Sequence, residues 1–268
     1  MREEELVKRL RHARFVLLGE RHDNPDHHAL QARLVMATLA QRRSPVVAFE
    51  MFDLGDQPAI DSHFRTSPTD VSGLDQAVGW KDKGWPAWPM YEEIVRGAVD
   101  RGARIVAANL PRADVMKAAK SASFMLGDET FDVPTLPEAL RAALEEEMFH
   151  AHCGHLPRSM MAMMATAQVA RDAAMAHQLM RSDRGTGTVL IAGNGHVRID
   201  RGVPWHLQQQ GATGGIVSVG MVEVRDSWTD AFPSDDEATP YDFAWMTPGW
   251  ERGDPCAEFQ GRTRESPK

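Results

Sequence analysis

Four short apolar runs constrain the fold of this chain more than any other feature: residues 15–18 (FVLL), 46–49 (VVAF), 105–108 (IVAA) and 189–192 (VLIA). Each has about the length of a strand, and none alternates apolar with polar residues. Uninterrupted, β-branched-rich runs of this length suit parallel strands buried on both faces. The intervals between them read as helix. Residues 25–42 carry Leu30, Leu34, Val35 and Leu39 behind Pro25, which suits a first helical turn. Residues 89–101 carry Ile94, Val95, Ala98 and Val99 at the same periodicity. Residues 136–150 and 157–181 read as two further helices, the second rich in Ala and Met.

Strands that alternate with helices need crossover connections, so the expected fold is α/β, with a mostly parallel central sheet and helices on both faces. The longest interval between strands, about 111–187, is expected to form a helical cap insertion. Residues 215–224 (GIVSVGMVEV) read as another strand and 242–246 as a short edge strand. A single domain over residues 1–246 follows, with a Pro-, Gly- and charge-rich tail at 247–268 that frays.

Composition excludes several classes. With 30 Lys+Arg against 38 Asp+Glu, a net charge of −8 argues against nucleic acid as a partner. No segment reaches the ~18 consecutive apolar residues of a transmembrane segment. The charged start MREEELVKRLRHARF has neither the apolar stretch nor the cleavage site of a signal peptide. As the sequence stands, a soluble, cytoplasmic protein is expected; a chain whose leader had been removed would instead be periplasmic or membrane-anchored. Cys153 and Cys256, 103 positions apart, offer neither a disulfide scaffold nor a four-cysteine zinc site. Eleven histidines stand beside only two tyrosines, Tyr91 and Tyr241, so the histidines are the side chains to follow.

In open α/β sheets, ligands bind outside the carboxyl ends of the strands. The residues after the four runs are Gly19-Glu20-Arg21-His22-Asp23-Asn24, Glu50-Met51-Phe52, Asn109-Leu110-Pro111-Arg112 and Gly193-Asn194-Gly195-His196-Val197-Arg198. Two of the four endings share the pattern Gly-x-x-His. Gathered at one end of a sheet, they would place Glu20, Glu50, His22 and His196 around one crevice, with Asn24, Asn109, Arg112, Asn194 and Arg198 available to grip a ligand. Two imidazoles and two carboxylates match a divalent-metal site with N and O donors. A metal-bound water would then be a nucleophile, with Glu20 or Glu50 as the general base. The arginines and histidines suit an acidic ligand equally well. Each of these residues, taken singly, also fits an ordinary exposed turn or ion pair.

Three weaker clusters surround this set. His150, His152, Cys153 and His155 suit either metal or haem ligation, or a plain helix–turn–helix junction in which His152 and His155 line a pocket. Gln168, Arg171 and Asp172 share one helix face, turned either to the crevice or to a surface network. Trp80, Trp85, Trp88 and Tyr91 are expected to pin an irregular connection, wall a pocket or form a dimer patch, with no catalytic role. His27 and His28 ride the first turns of the helix that follows the first motif.

The motifs GERHDNPDHHALQ, FEMF, W-P-x-Y, AANLPR, HCGHLP, AQVARDAAMA and IAGNGHVRIDRGVP together resemble the ChaN-like haem-binding uptake family, which is similar in turn to the erythromycin-esterase-like and TraB/Tiki superfamily. The matches run in order from about residue 15 to 205. The resemblance implies haem or iron-compound binding, iron-regulated uptake, homodimers and lipoprotein anchoring. It also implies a tyrosine ligand to haem iron after the second Gly-x-x-His, where this chain has Arg198, Asp200 and Arg201. The wider superfamily implies, as an alternative, a metal-dependent esterase or protease built on Glu20, His22, Glu50 and His196. A non-catalytic interaction protein with a vestigial crevice is the third expectation.

Overall fold

The computed structural model describes residues 2–224, 239–253 and 256. The elements in chain order are α1 (Glu3–His12), β1 (Phe15–Glu20), α2 (Pro25–Leu39), β2 (Val46–Asp53), α3 (Gln57–Thr66), α4 (Leu74–Ala77), α5 (Pro89–Val99), β3 (Arg104–Asn109), α6 (Arg112–Ser121), β4 (Ser123–Leu126), β5 (Glu129–Asp132), α7 (Glu138–Ala151), α8 (Met161–Ser182), β6 (Thr188–Gly193), α9 (Val203–Gln209), β7 (Ile216–Val224) and β8 (Phe243–Pro248). They form two units: residues 1–111 with 172–249, and residues 112–171 with 250–268.

The first unit is built on a six-stranded sheet in the order β3-β2-β6-β1-β7-β8, with every neighbouring pair parallel. The four apolar runs are β1, β2, β3 and β6, and they lie side by side. Their side chains divide by pleat. Val16, Leu18, Val47, Phe49, Ile105, Ala107, Val189 and Ile191 pack with α1, α2 and α5 on one face. Phe15, Leu17, Val46, Ala48, Val106, Ala108, Leu190 and Ala192 pack with Met175, Ala176 and Leu179 of α8 and Val203 and Leu207 of α9 on the other. Both faces are covered, which is why the runs do not alternate. Each buried Leu, Val or Phe contributes about 1.5–3 kcal/mol, so these runs dominate the stability of the sheet.

Two details shape the ends of the strands. The register between β2 and β3 shifts between Phe49 and Asp53, an irregularity of the pairing in the stretch that carries Glu50. The Gln57 amide binds one edge of β3, donating to the Ile105 carbonyl at 3.1 Å and accepting from the Ala107 N–H at 2.8 Å. A side chain thus takes the place of a further strand on that edge.

The second unit differs from the wholly helical insertion expected for 111–187. It contains an antiparallel hairpin, β4 with β5, closed by stacked Phe124 and Phe131 rings 5.6 Å apart. Four-residue strands are too short to show a period in sequence. The last part of α8, from Asp172, belongs to the first unit. The two cysteines, read as offering no scaffold, are joined: Cys153 and Cys256 form a disulfide with Cα atoms 5.7 Å apart. Sequence separation says nothing about this distance, which is what bridging requires. The edge strand expected at 242–246 extends to Pro248, and Thr247 is buried at 3% exposure. The frayed tail therefore does not begin at 247; residues 254–255 and 257–268 lie outside the described residues. No helix among the described residues is long and apolar enough to cross a membrane.

Candidate functional site

The strand order builds the site. β6 enters the sheet late in the chain and lies between β1 and β2, with Glu20 in register with Gly193. Glu20 ends β1, Glu50 follows Phe49 in β2 where the register with β3 shifts, and Gly193 ends β6. Three strand ends thus deliver both Gly-x-x-His turns and both carboxylates to one place. Glycine is required there. A Cβ on Gly193 would lie 2.9 Å from His22 Nε2, and one on Gly19 would lie 2.4 Å from the Asn194 side chain. Each motif's glycine makes room for the other motif's side chain.

Glu20 is buried at 2% exposure. Its Oε1 accepts from the Tyr91 hydroxyl at 2.9 Å and from His22 Nδ1 at 2.8 Å. Its Oε2 lies 3.2 Å from His28 Nδ1, at an angle that makes no hydrogen bond, and neither atom has a hydrogen-bond partner among the described residues. The other ring nitrogen of His28 donates to the His22 carbonyl at 2.9 Å. Because His22 gives its Nδ1–H to Glu20, its Nε2 carries the free lone pair when the ring is neutral. The His22 side chain is 35% exposed. Burial lowers its pKa, but the Glu20 hydrogen bond and the Glu50 and Glu20 charges outweigh this and hold it above the ordinary value. Trp85 meets the His22 ring edge to face, with centroids 4.9 Å apart.

Glu50, His196 and Asp172 form a second, deeper group. Glu50 Oε2 accepts from the Gly193 N–H at 2.7 Å, and its Oε1 lies 3.0 Å from His196 Nε2. His196 Nδ1 lies 2.5 Å from Asp172 Oδ1. All three side chains are within a few per cent of full burial. Both imidazole nitrogens lie beside carboxylate oxygens, with the hydrogen bond on the Asp172 side.

The structure thus brings together Glu20, His22, Glu50 and His196, but not as four ligands around one ion. Glu20, Glu50 and His196 are engaged with one another and with Tyr91, Gly193 and Asp172. Among the described residues no group of three or more His, Cys, Asp and Glu is arranged to hold a metal ion.

The residues expected to grip a ligand are distributed differently. Asn24 is buried: it caps α2 by accepting from the Asp26 N–H at 2.9 Å and donates to Glu223 at 2.7 Å. Asn194 clamps its turn to β7, donating to the Met221 carbonyl at 2.6 Å and accepting from the Met221 N–H at 3.1 Å. Arg198 pairs with Asp200 at 2.6 Å. Asn109 is buried at the end of β3, on the far side of β2 from the histidines. Arg112, His152, His155, Gln168 and Arg171 belong to the second unit, where Arg112 opens α6 and His152 Nδ1 donates to the Met148 carbonyl at 2.8 Å.

Sequence reasoning undervalued Asp172, Tyr91, His28 and Trp85. Asp172 carried a signal: a carboxylate amid the Ala and Met of α8 needs a buried partner. Tyr91 is 1% exposed and spends its hydroxyl on Glu20. His27, beside His28, is buried; it accepts from the Arg21 N–H at 2.8 Å and donates to Thr247 at 2.8 Å, and burial lowers its pKa to about 4.

These features define a parallel α/β protein whose strand ends carry two interlocked glycine–histidine turns. The chain belongs to the family described as haem-binding uptake, Tiki superfamily, ChaN, whose pattern matches residues 6–207. Among solved structures it is similar to the one described as cofacial heme binding to ChaN of Campylobacter jejuni, with 25% identity, a TM-score of 0.70, and coverage of 83% of this chain and 86% of that one. The type III effector HopBA1 has 12% identity and a TM-score of 0.47, covering 91% of both chains. The erythromycin esterase EreC has 11% identity and a TM-score of 0.49, covering 82% of this chain and 72% of that one. None of the curated proteins matches the chain in sequence.

Proposed function

We propose that the crevice of the first unit binds haem or a related iron compound, in the service of haem or iron uptake, and that His22 is the residue that meets the iron. One observation carries this reading: His22 is the half-exposed member of an otherwise buried cluster, with its Nδ1 fixed by Glu20 and its Nε2 left to a ligand. A hydrogen-bonded imidazole is a better electron donor to a metal, and Glu20 is itself held by Tyr91. The residues fit haem through one nitrogen donor, with the aromatic face of Trp85 beside it. Tyr91 is not an iron ligand in this arrangement, because its hydroxyl is buried and committed. Bound haem would supply an iron with an open coordination position. The chain supplies the oriented nitrogen and the buried charges behind it. Hemin titrated into the protein should give a saturable, shifted Soret band that His22→Ala removes. An unshifted band in the parent protein would overturn the reading.

A second reading is favoured by the same pair. With Glu20 on Nδ1 and a raised pKa, His22 is placed to act as a general base on water in an esterase-like hydrolysis. Turnover of simple esters that His22→Ala abolishes, without hemin binding, would replace the first reading by this one.

The Cys153–Cys256 bridge supports an oxidising compartment such as the periplasm, rather than the cytoplasm, because cytosolic thiols are kept reduced. Thiol labelling of native protein under denaturing, non-reducing conditions tests this, and two free thiols would contradict it. The family resemblance supports a homodimer, which sedimentation with and without hemin would test.

A further inference from the structure

The three tryptophans before α5 are treated differently by the fold. Trp80 and Trp88 are buried, 4% and 6% exposed, and their rings pack with Phe52 and with each other. Trp80 also meets Tyr91 at 5.1 Å. They pin the connection to the core, as expected of such a cluster. Trp85 lies between them in sequence but stays only partly buried. Its described ring contact is His22, which it meets at 65° between planes.

The segment that carries Trp85 is held in place. The Trp80 indole N–H donates to the Pro86 carbonyl at 2.9 Å, and Lys83 Nζ lies 2.8 Å from Asp56 on the preceding side. Pro86 fixes the backbone next to the ring. A large ring is thus held, partly in solvent, against the half-exposed histidine of a buried polar cluster. Trp80 and Trp88 are buried within the core, whereas Trp85 packs against that core from outside and keeps part of its ring exposed beside His22. An aromatic face offered beside a nitrogen donor is the arrangement that recognises a flat, conjugated ligand, whose ring stacks on or edges against the indole.

We propose that Trp85 is a ligand-contacting wall of the site that selects for flat, conjugated ligands, a proposal that rests on the haem reading and adds its specificity residue. The role of Trp85 is separable from that of His22. His22 needs a metal to bind, whereas Trp85 needs only a flat π surface. Iron-free protoporphyrin IX therefore isolates Trp85, and hemin engages both residues.

The test titrates protoporphyrin IX and hemin into the full chain and its Trp85→Leu, Trp85→Phe and His22→Ala variants, reading dissociation constants and the Soret band. Trp85→Leu should weaken both ligands about two- to tenfold, the range of one aromatic contact, while Trp85→Phe keeps most of the affinity. His22→Ala should lose the hemin-specific band shift yet keep protoporphyrin IX binding. If Trp85→Leu binds protoporphyrin IX as the parent does, the proposal fails while an intact hemin band leaves the haem reading standing. If the parent binds neither ligand, both fail together. Circular dichroism and melting curves establish folding of each variant, and Trp85→Met, which keeps apolar volume without a flat ring, takes the place of Trp85→Leu if the latter does not fold.

Discussion

The two Gly-x-x-His turns have the same spacing and sit at the ends of adjacent strands, yet the fold uses them in opposite ways. In the first, His22 is 35% exposed, with one nitrogen tied to Glu20 and the other beside Gly193. In the second, His196 is 6% exposed and held at both nitrogens by Asp172 and Glu50. The difference arises from the neighbours. β6 lies inside the sheet between β1 and β2, so its turn is flanked by carboxylates, and Asp172 of α8 closes on its far side. One ring is part-exposed and tied to a single carboxylate, while the other is buried between two. An identical pattern in sequence is therefore not evidence of an identical role.

The largest effect that would sharpen this contrast is on stability. His196→Ala leaves Glu50 and Asp172 buried without their shared imidazole, and breaking such a buried pair costs about 3–5 kcal/mol. His22→Ala removes one hydrogen bond to a carboxylate that solvent can reach once the ring is gone, for about 1–2 kcal/mol. Urea unfolding of the two variants should show that order, and equal losses would erase the distinction. Hemin binding should sort them the other way among molecules that remain folded.

Gly193→Ala attacks the contact between the motifs. Its Cβ would stand 2.9 Å from His22 Nε2, so the imidazole must move, and overpacking of this kind costs about 1–3 kcal/mol. Hemin affinity should fall on the order of tenfold, a loss of about 1.4 kcal/mol. A variant with unchanged affinity would show that His22 Nε2 does not need its observed position.

The pH dependence of stability separates the histidines again. His22 has a raised pKa, so its contribution is full below the ordinary value of 6.5 and fades as pH rises through its folded value. His27 runs in the opposite sense. The unfolded chain binds its proton near 6.5 and the folded chain only near 4, so stability falls as pH drops through that interval. His206, fully buried on α9 with its pKa lowered to about 3 by burial, adds to the same acid loss. Denaturation midpoints of the parent and of His22→Ala should differ most at and below pH 6.5 and converge as pH rises above it. A constant difference at every pH would contradict the assignment.

The smallest effect on hemin binding is expected for Tyr91→Phe. Loss of one hydrogen bond to Glu20 should cost about 1.5–3 kcal/mol at most, with the hemin band retained. A lost band would return Tyr91 to the place of an iron ligand.

Much of the fold was legible because it rests on short-range pattern. The four non-alternating runs identified buried parallel strands, and the polar residues that end them identified where a site would form. Glu20, His22, Glu50 and His196 follow from that logic alone. The β4–β5 hairpin was not legible, because four residues give too few side chains for a period to appear. The disulfide was hidden for a different reason: a separation of 103 residues carries no information about a 5.7 Å approach. Asn24 and Asn194 looked like ligand-gripping residues because an amide in a turn serves a ligand or a backbone equally well. In the fold they serve the backbone and neighbouring side chains.

The sequence by itself determined the class of fold and the end of the sheet at which the polar strand endings gather. These depend on hydrophobic periodicity and on residue type, which are local properties. Only the tertiary structure decided which histidine stays part-exposed and which is buried between carboxylates. That choice depends on which carboxylates lie within about 3 Å of each ring nitrogen, and Tyr91, Asp172 and Trp85 reach the site from helices and a loop far from the motifs in sequence. Strand order places them there, and no local pattern encodes it.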